Sequence, residues 1–225
     1  AASDVYKRQV FEPIKPNGWE RNPVTHPTAS YSSYNEDRNL EQVHFCMGTD
    51  GPKRTSADRI AFGVMDTILG GGTSSRIFQE VREKRGLAYS IGSFDMSFKD
   101  SGCFVITGGA SPSSIQEVVG LCLDEVRRLY TEDVTEEDVE SARQQIKSAV
   151  LLGMENSASR MSRLAEYEIY FGEYMPVDKV IAELNAVTRN DVRQMAEKYL
   201  KGRPVTYASI GPASSFRPFA GSLSF

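Results

Sequence analysis

The residues best suited to chemistry lie between Leu69 and Ser93, LGGGTSSRIFQEVREKRGLAYSIGS. Three glycines and a Thr-Ser-Ser step lead into a short amphipathic segment rich in arginine, Gly86 ends it, and an aromatic-bearing strand follows. Arg82 falls in the last turn of that helix and Tyr89 at the start of the strand. A helix that stops at Gly86 and reverses brings both side chains to one edge. A guanidinium offers forked donors of fixed geometry, and a phenol adds one more. Together they are able to hold a peptide carbonyl or a developing oxyanion. A plainer reading stays open on the residues alone: an arginine favoured by the helix C-terminus, and a half-buried strand tyrosine.

Other chemistries have less behind them. Glycines ahead of a helix can cradle a phosphate, but Thr73-Ser74-Ser75 follows where a P-loop needs lysine and a hydroxyl residue. The glycines also follow a helix, which the dinucleotide fingerprint does not allow. A turn that uses positive φ angles is therefore expected at Gly70–Gly72. The chain has two histidines. His26, ahead of Pro27, is expected in a solvent-exposed loop, and His44, amid apolar strand residues, inside the core. Neither H-E-x-x-H nor H-x-x-E-H occurs, so these residues cannot build a histidine-rich catalytic zinc site alone. Glu136-Glu137 and the Glu166/Glu168 pair are expected on solvated helix faces. No G-x-S-x-G occurs, and no histidine is placed to activate a serine.

The elements that must position Arg82 and Tyr89 follow from periodicity. Leu40–Met47 reads as a strand, with Asp50-Gly51-Pro52 ending it. Ser56–Leu69 reads as a helix with Ile60, Val64 and Ile68 on one stripe, and Ser75–Arg85 as a second, carrying a Glu80–Lys84 pair. Leu87–Phe98 and Gly102–Gly109 form an antiparallel hairpin. Helices then run from Ser111-Pro112 to Tyr130, from a capping-box-like Thr135-Glu136-Glu137-Asp138, through Met161–Phe171, and from Thr188. Val205–Ile210 closes as a strand. The order predicts an α+β domain, an antiparallel or mixed sheet with helices packed on one face.

Composition narrows the class. With 225 residues, 25% charged and 40% hydrophobic, one globular domain is expected. A net charge of -4 gives no electrostatic case for nucleic acid or an anionic membrane. No apolar run approaches the ~20 residues of a membrane span. Cys46, Cys103 and Cys122 are expected to fill core space as reduced thiols, which favours a cytoplasmic setting. Residues 39–213 are read as the domain and 1–38 as a linker or N-terminal extension, its first nine residues set aside as artefactual. The stretch 214–225 is read as an irregular tail.

The Leu69–Ser93 stretch closely resembles the second-half motif of the pitrilysin/insulinase family of zinc metallopeptidases, which includes mitochondrial processing peptidases. The resemblance runs from LEQVHFCMG through TEEDVESARQQIKSAVL to VTRNDVRQMAEKYL, roughly Leu40–Pro212. It implies a fold in which two similar α+β domains clasp a chamber, the first binding zinc and the second lacking ligands. It also implies that Tyr89 stabilises the tetrahedral intermediate while Arg82 orients the peptide backbone. Zinc would then be held by a missing or partner half, with none bound here. The partners implied are a peptide or small-protein substrate and a zinc-bearing domain, in the same full-length chain or in a separate subunit of a homo- or heterodimer. The chain is expected to be inactive alone, as a piece of a longer protease or a natural subunit. The alternative is a non-catalytic scaffold or peptide-binding subunit of the same fold.

Overall fold

Strict alternation in Val43–Asp50 (β2) sets the architecture. Val43, Phe45 and Met47 are buried while His44 and Cys46 are exposed, so one face of the sheet meets a core and the other does not. The computed structural model describes residues 2–15, 17–18, 30–132, 134–212 and 223–225. In chain order its elements are α1 (Ala2–Phe11), β1 (Ser32–Asp37), β2, α2 (Arg59–Leu69), a π-helical turn (Phe78–Glu83), β3 (Ala88–Ser97) and β4 (Gly102–Ala110). There follow α3 (Ile115–Thr131), α4 (Glu136–Glu155), α5 (Ser157–Phe171), α6 (Val177–Asn185), α7 (Arg189–Tyr199) and β5 (Thr206–Gly211).

The five strands form one mixed sheet in the order β1-β5-β2-β4-β3. The β3–β4 hairpin is antiparallel, as its short turn requires. β1 and β5 pair in parallel, Ser32 opposite Thr206. This is the α+β architecture expected, a mixed sheet with helices on one face. β1 lies inside the stretch read as linker, so the sheet begins ahead of residue 39. Ala2–Phe11, which carries no apolar periodicity, is helical and is exposed from Asp4 onward.

The core lies between the inner sheet face and the helices. Phe45, Met47, Phe104 and Ile106 meet Phe62, Met65 and Leu69 of α2 and Val118, Cys122 and Val126 of α3. Phe62 meets Phe104 edge-on at 6.0 Å and Tyr199 at 5.2 Å, which joins sheet, α2 and α7. Leu223–Phe225, at the end of the stretch read as tail, docks here as well. Phe225 is buried against Phe104 at 5.9 Å, and its C=O accepts from Gly202 N–H at 2.7 Å.

Two helix starts are fixed by reciprocal capping. Thr135 accepts from the Asp138 N–H and Thr188 from the Asp191 N–H, and each carboxylate reaches back to the N-cap N–H. α5 starts earlier than its apolar pattern does, because Asn156 caps Ala158 and Ser159.

Candidate functional site

α2 delivers the chain to the site. It ends at Gly70, where φ is −150°, and none of Gly70–Gly72 has a positive φ. The expected left-handed turn is absent; the glycines are needed for space. A Cβ on Gly70 would lie 2.4 Å from the Ser93 backbone nitrogen, and one on Gly71 2.7 Å from the Thr67 Cα. The loop is pinned from several sides: its Gly70 C=O accepts from Ser93 N–H at 3.1 Å, and its Gly71 C=O from the Gln145 amide at 2.9 Å. The N–H groups of Gly70, Gly71 and Ser75 are spent on Asp66, Thr67 and Gly72 carbonyls, so they form no phosphate cradle.

Beyond the loop the expected α-helix widens. Phe78–Glu83 forms a π-helical turn, with Lys84 N–H bonding to the Gln79 C=O at 3.0 Å. Gly86, where the helix was read to end, adopts the left-handed conformation, at φ 64°. Gly86 and Leu87 N–H groups return to the Arg82 and Val81 carbonyls at 2.9 and 3.0 Å, which folds the chain back into β3.

The reversal brings Arg82 and Tyr89 together. The Arg82 guanidinium carbon stands 4.9 Å from the centre of the Tyr89 ring and 4.8 Å from that of Phe78. Both distances are in the cation–π range. Phe78 is the residue sequence reasoning missed; its spacing of four from Arg82 was the available signal. Tyr89 is 78% exposed, not half buried. A β-bulge explains this: Ala88 pairs with Ala110 and Ser90 with Gly109, which leaves Tyr89 as the extra residue.

The charges around Arg82 are divided unevenly. Lys84 and Arg85 both bind Glu80, at 2.9 and 2.5 Å. The hydrogen bond from Lys84, with the charges of both cations, holds the Glu80 carboxyl below its ordinary range. Arg82 has only Glu83 nearby among the described carboxylates, at 3.8 Å.

Behind the pair lies the uncovered sheet face. Register places Tyr34, Ala208, Cys46, Thr107 and Gly92 in one row across all five strands, and Glu36, Ile210, His44, Gly109 and Ser90 in the next. Along these rows runs a trough: a section of about 620 Å³ bordered by Tyr89 and Tyr34, continuing into one of about 350 Å³ past Cys46 and Ala208. His44 and Cys46 therefore point outward, contrary to expectation; alternation along β2 decides their side, whatever their neighbours' polarity. Cys103 is half buried, and Cys122 is in the core as expected. His26 lies outside the described residues.

A zinc site does not fit these residues. Among the described residues no group of three or more His, Cys, Asp or Glu is arranged to hold a metal ion. Nor is any described helix long and apolar enough to cross a membrane.

Residues 3–146 match the family model described as the peptidase M16 inactive domain. The chain belongs to the M16 peptidase family. That bears out the pitrilysin-type resemblance read from the Leu69–Ser93 motif. M16 relatives include an uncharacterised zinc protease of Streptomyces coelicolor, 37% identical over 91% of this chain and 47% of that protein. Another, from Bacillus subtilis, is 34% identical over 72% of this chain and 39% of that protein. The chain thus spans about half the length of the relatives it matches. An M16 inactive domain from Pseudomonas fluorescens has the same fold (TM-score 0.83, 21% identity, 94% of this chain and 51% of that chain). So does a chain of complex III2 from Candida albicans (TM-score 0.71, 21% identity, 81% of this chain and 45% of that chain).

Proposed function

We propose that this M16 domain is the substrate-holding half of a zinc metalloendopeptidase, with zinc carried by a second domain or subunit. The observation that carries the reading is the Arg82 guanidinium, held between the Phe78 and Tyr89 rings and only loosely paired with Glu83. Held this way, the guanidinium donates to a peptide carbonyl without first breaking a tight ion pair. The exposed Tyr89 phenol donates to an oxyanion as it forms, and so strengthens its hydrogen bond in the transition state. Arg82 orients the backbone; Tyr89 stabilises charge. The metal, when bound by the other half, supplies Lewis-acid activation of water or carbonyl.

The test is reconstitution with the zinc-bearing half and a fluorogenic peptide. Tyr89→Phe is expected to lower kcat/KM roughly 10²–10³-fold, mostly through kcat, as loss of one oxyanion donor does. Arg82→Ala is expected to raise KM as well, and Arg82→Lys to recover little, because an ammonium lacks the planar fork. Unchanged kinetics in both variants would overturn the assignment.

A further inference from the structure

Cations crowd the π-helical turn and the small cavity beside it, and they are sorted by partner. Arg76 rests on Asp138 at 3.1 Å, Arg128 on Glu125 at 2.9 Å, Lys84 on Glu80 at 2.9 Å and Arg85 on Glu80 at 2.5 Å. Arg82, with Glu83 at 3.8 Å, is the exception among them. Glu80 serves two cations at once. Its Oε2 accepts from Lys84, and its Oε1 from both Nε and Nη2 of Arg85. The Glu80 side chain is 13% exposed, whereas those of Lys84 and Arg85 are 65% and 42% exposed. The carboxylate thus lies inward, and the two cations reach back to it from solvent. It borders a cavity of about 240 Å³ that Glu125 and Arg128 of α3 also line.

Left open, Lys84 and Arg85 would bear on any peptide held at Arg82. They follow it by two and three residues, on the order of 6 Å along a helical turn, inside the ~10 Å reach of a charge at 0.1 M salt. A carboxylate binds a cation more tightly than a neutral carbonyl does. Two open cations beside Arg82 would therefore draw in acidic side chains and set them in competition with the backbone. Glu80 removes that competition and leaves Arg82 as the loosely paired cation of the turn.

We propose that Glu80 is a specificity-determining residue: by neutralising Lys84 and Arg85, it keeps the site at Arg82 and Tyr89 tuned to a backbone carbonyl and indifferent to acidic side chains. The substrate class is then a peptide selected through its backbone, with no preference for glutamate or aspartate beside the bond held there. This rests on the reading of Arg82 and Tyr89 as a carbonyl site.

Two fluorescein-labelled ten-residue peptides, alike except for glutamate or glutamine on both sides of a central leucine, are titrated against this chain by anisotropy. The readout is the ratio of their Kd values, from which any loss of folded protein common to both cancels. With the unaltered chain the two are expected to bind within about twofold of each other. Glu80→Gln is expected to shift the ratio roughly fivefold toward the glutamate peptide, and high salt to shrink that shift. Adding Lys84→Gln and Arg85→Gln to Glu80→Gln is expected to restore the starting ratio, which a purely structural role for Glu80 does not predict. Lys84→Gln with Arg85→Gln alone leaves the Glu80 carboxylate unmatched and is expected to move the ratio the other way. That pair tests the sign even where Glu80→Gln does not fold.

A ratio unmoved by Glu80→Gln, or a shift that survives removal of both cations, would overturn the role of Glu80 and leave the carbonyl site standing. A strong preference of the unaltered chain for the glutamate peptide would do the same. Glutamine-peptide binding that ignores both Arg82→Ala and Tyr89→Phe would overturn the carbonyl site, and absence of binding by either peptide would overturn both.

Discussion

Asp66 shows how one residue links the scaffold of this site to pH. It sits buried in α2, accepts from the Ser93 hydroxyl at 2.5 Å, and its carbonyl holds the Gly70 turn. Burial, with the Asp95 charge adding to it and the Ser93 hydrogen bond opposing it, raises its carboxyl from 3.8 to about 7. The folded state therefore binds this proton more tightly than the unfolded chain does. Stability from this residue is greatest below 3.8 and falls as pH rises toward 7, then levels off. Asp66→Asn keeps an acceptor for Ser93 and removes the charge. It is expected to stabilise the domain by on the order of 2–4 kcal/mol at pH 8 and by much less at pH 4. Urea melts at the two pH values measure this; an equal gain at both would refute it. Nothing in the local sequence marks Asp66 as buried except its place beside Met65 on an apolar helix. The outward turn of His44 and Cys46 was legible, in contrast, had the period of two been weighed above residue polarity.

At the scale of elements, what the sequence announced was the capping chemistry. The Thr135 box sits where its residues predict, and Thr188 caps the helix it was read to open, because a cap is a local contact that needs no tertiary information. Thr188→Ala is expected to cost about 1 kcal/mol in chemical denaturation. Asp138 does more than Asp191, since it also receives Arg76 at 3.1 Å and so ties α4 to the segment entering the π-helical turn. Burial raises its carboxyl, but hydrogen bonds from Thr135 and Arg76 outweigh burial and leave it below the ordinary 3.8. That stability is present above pH 4 or so and lost as pH falls, the opposite sense to Asp66. Asp138→Ala should therefore cost more than Asp191→Ala at pH 7, and the gap should close in acid. Unequal costs that stay undiminished down to the lowest pH at which the domain remains folded would show that charge is not the cause. The π-helical turn and the bulge at Tyr89 were not legible. Each inserts one residue into a regular ladder, and the packing of Phe78, Arg82 and Tyr89 that favours this is tertiary. α6 was missed because its nine residues are short beside any periodic window.

At the scale of the molecule, the family and the layer order were readable because the apolar stripes and the Leu69–Ser93 motif lie within continuous segments. β1 and the final residues were not, since both acquire a role only against distant partners. Ser32–Asp37 is polar and nearly all exposed, and its place in the sheet comes from pairing with β5. Leu223–Phe225 follows a stretch with no pattern, yet Phe225 fills space beside Phe104. Phe225→Ala is expected to cost about 3–5 kcal/mol, readable as a fall in the urea midpoint at unchanged m-value. A loss below about 1 kcal/mol would mean that the site collapses to fill the gap.

The parallel pairing of β1 with β5 has a consequence for synthesis. Ser32 must wait for Thr206, so the first strand leaves the ribosome long before its partner exists. At roughly 5–20 residues per second, that delay lasts on the order of ten to thirty seconds. Through that interval β5's edge of β2 stays unpaired, next to a half-made core that already contains Phe45 and Met47. The hazard falls on the nascent chain: the growing sheet invites intermolecular pairing until its last strand arrives. The polar, exposed character of β1 suits it to that wait, because a strand of serine, tyrosine, asparagine and acidic residues stays hydrated while it is alone.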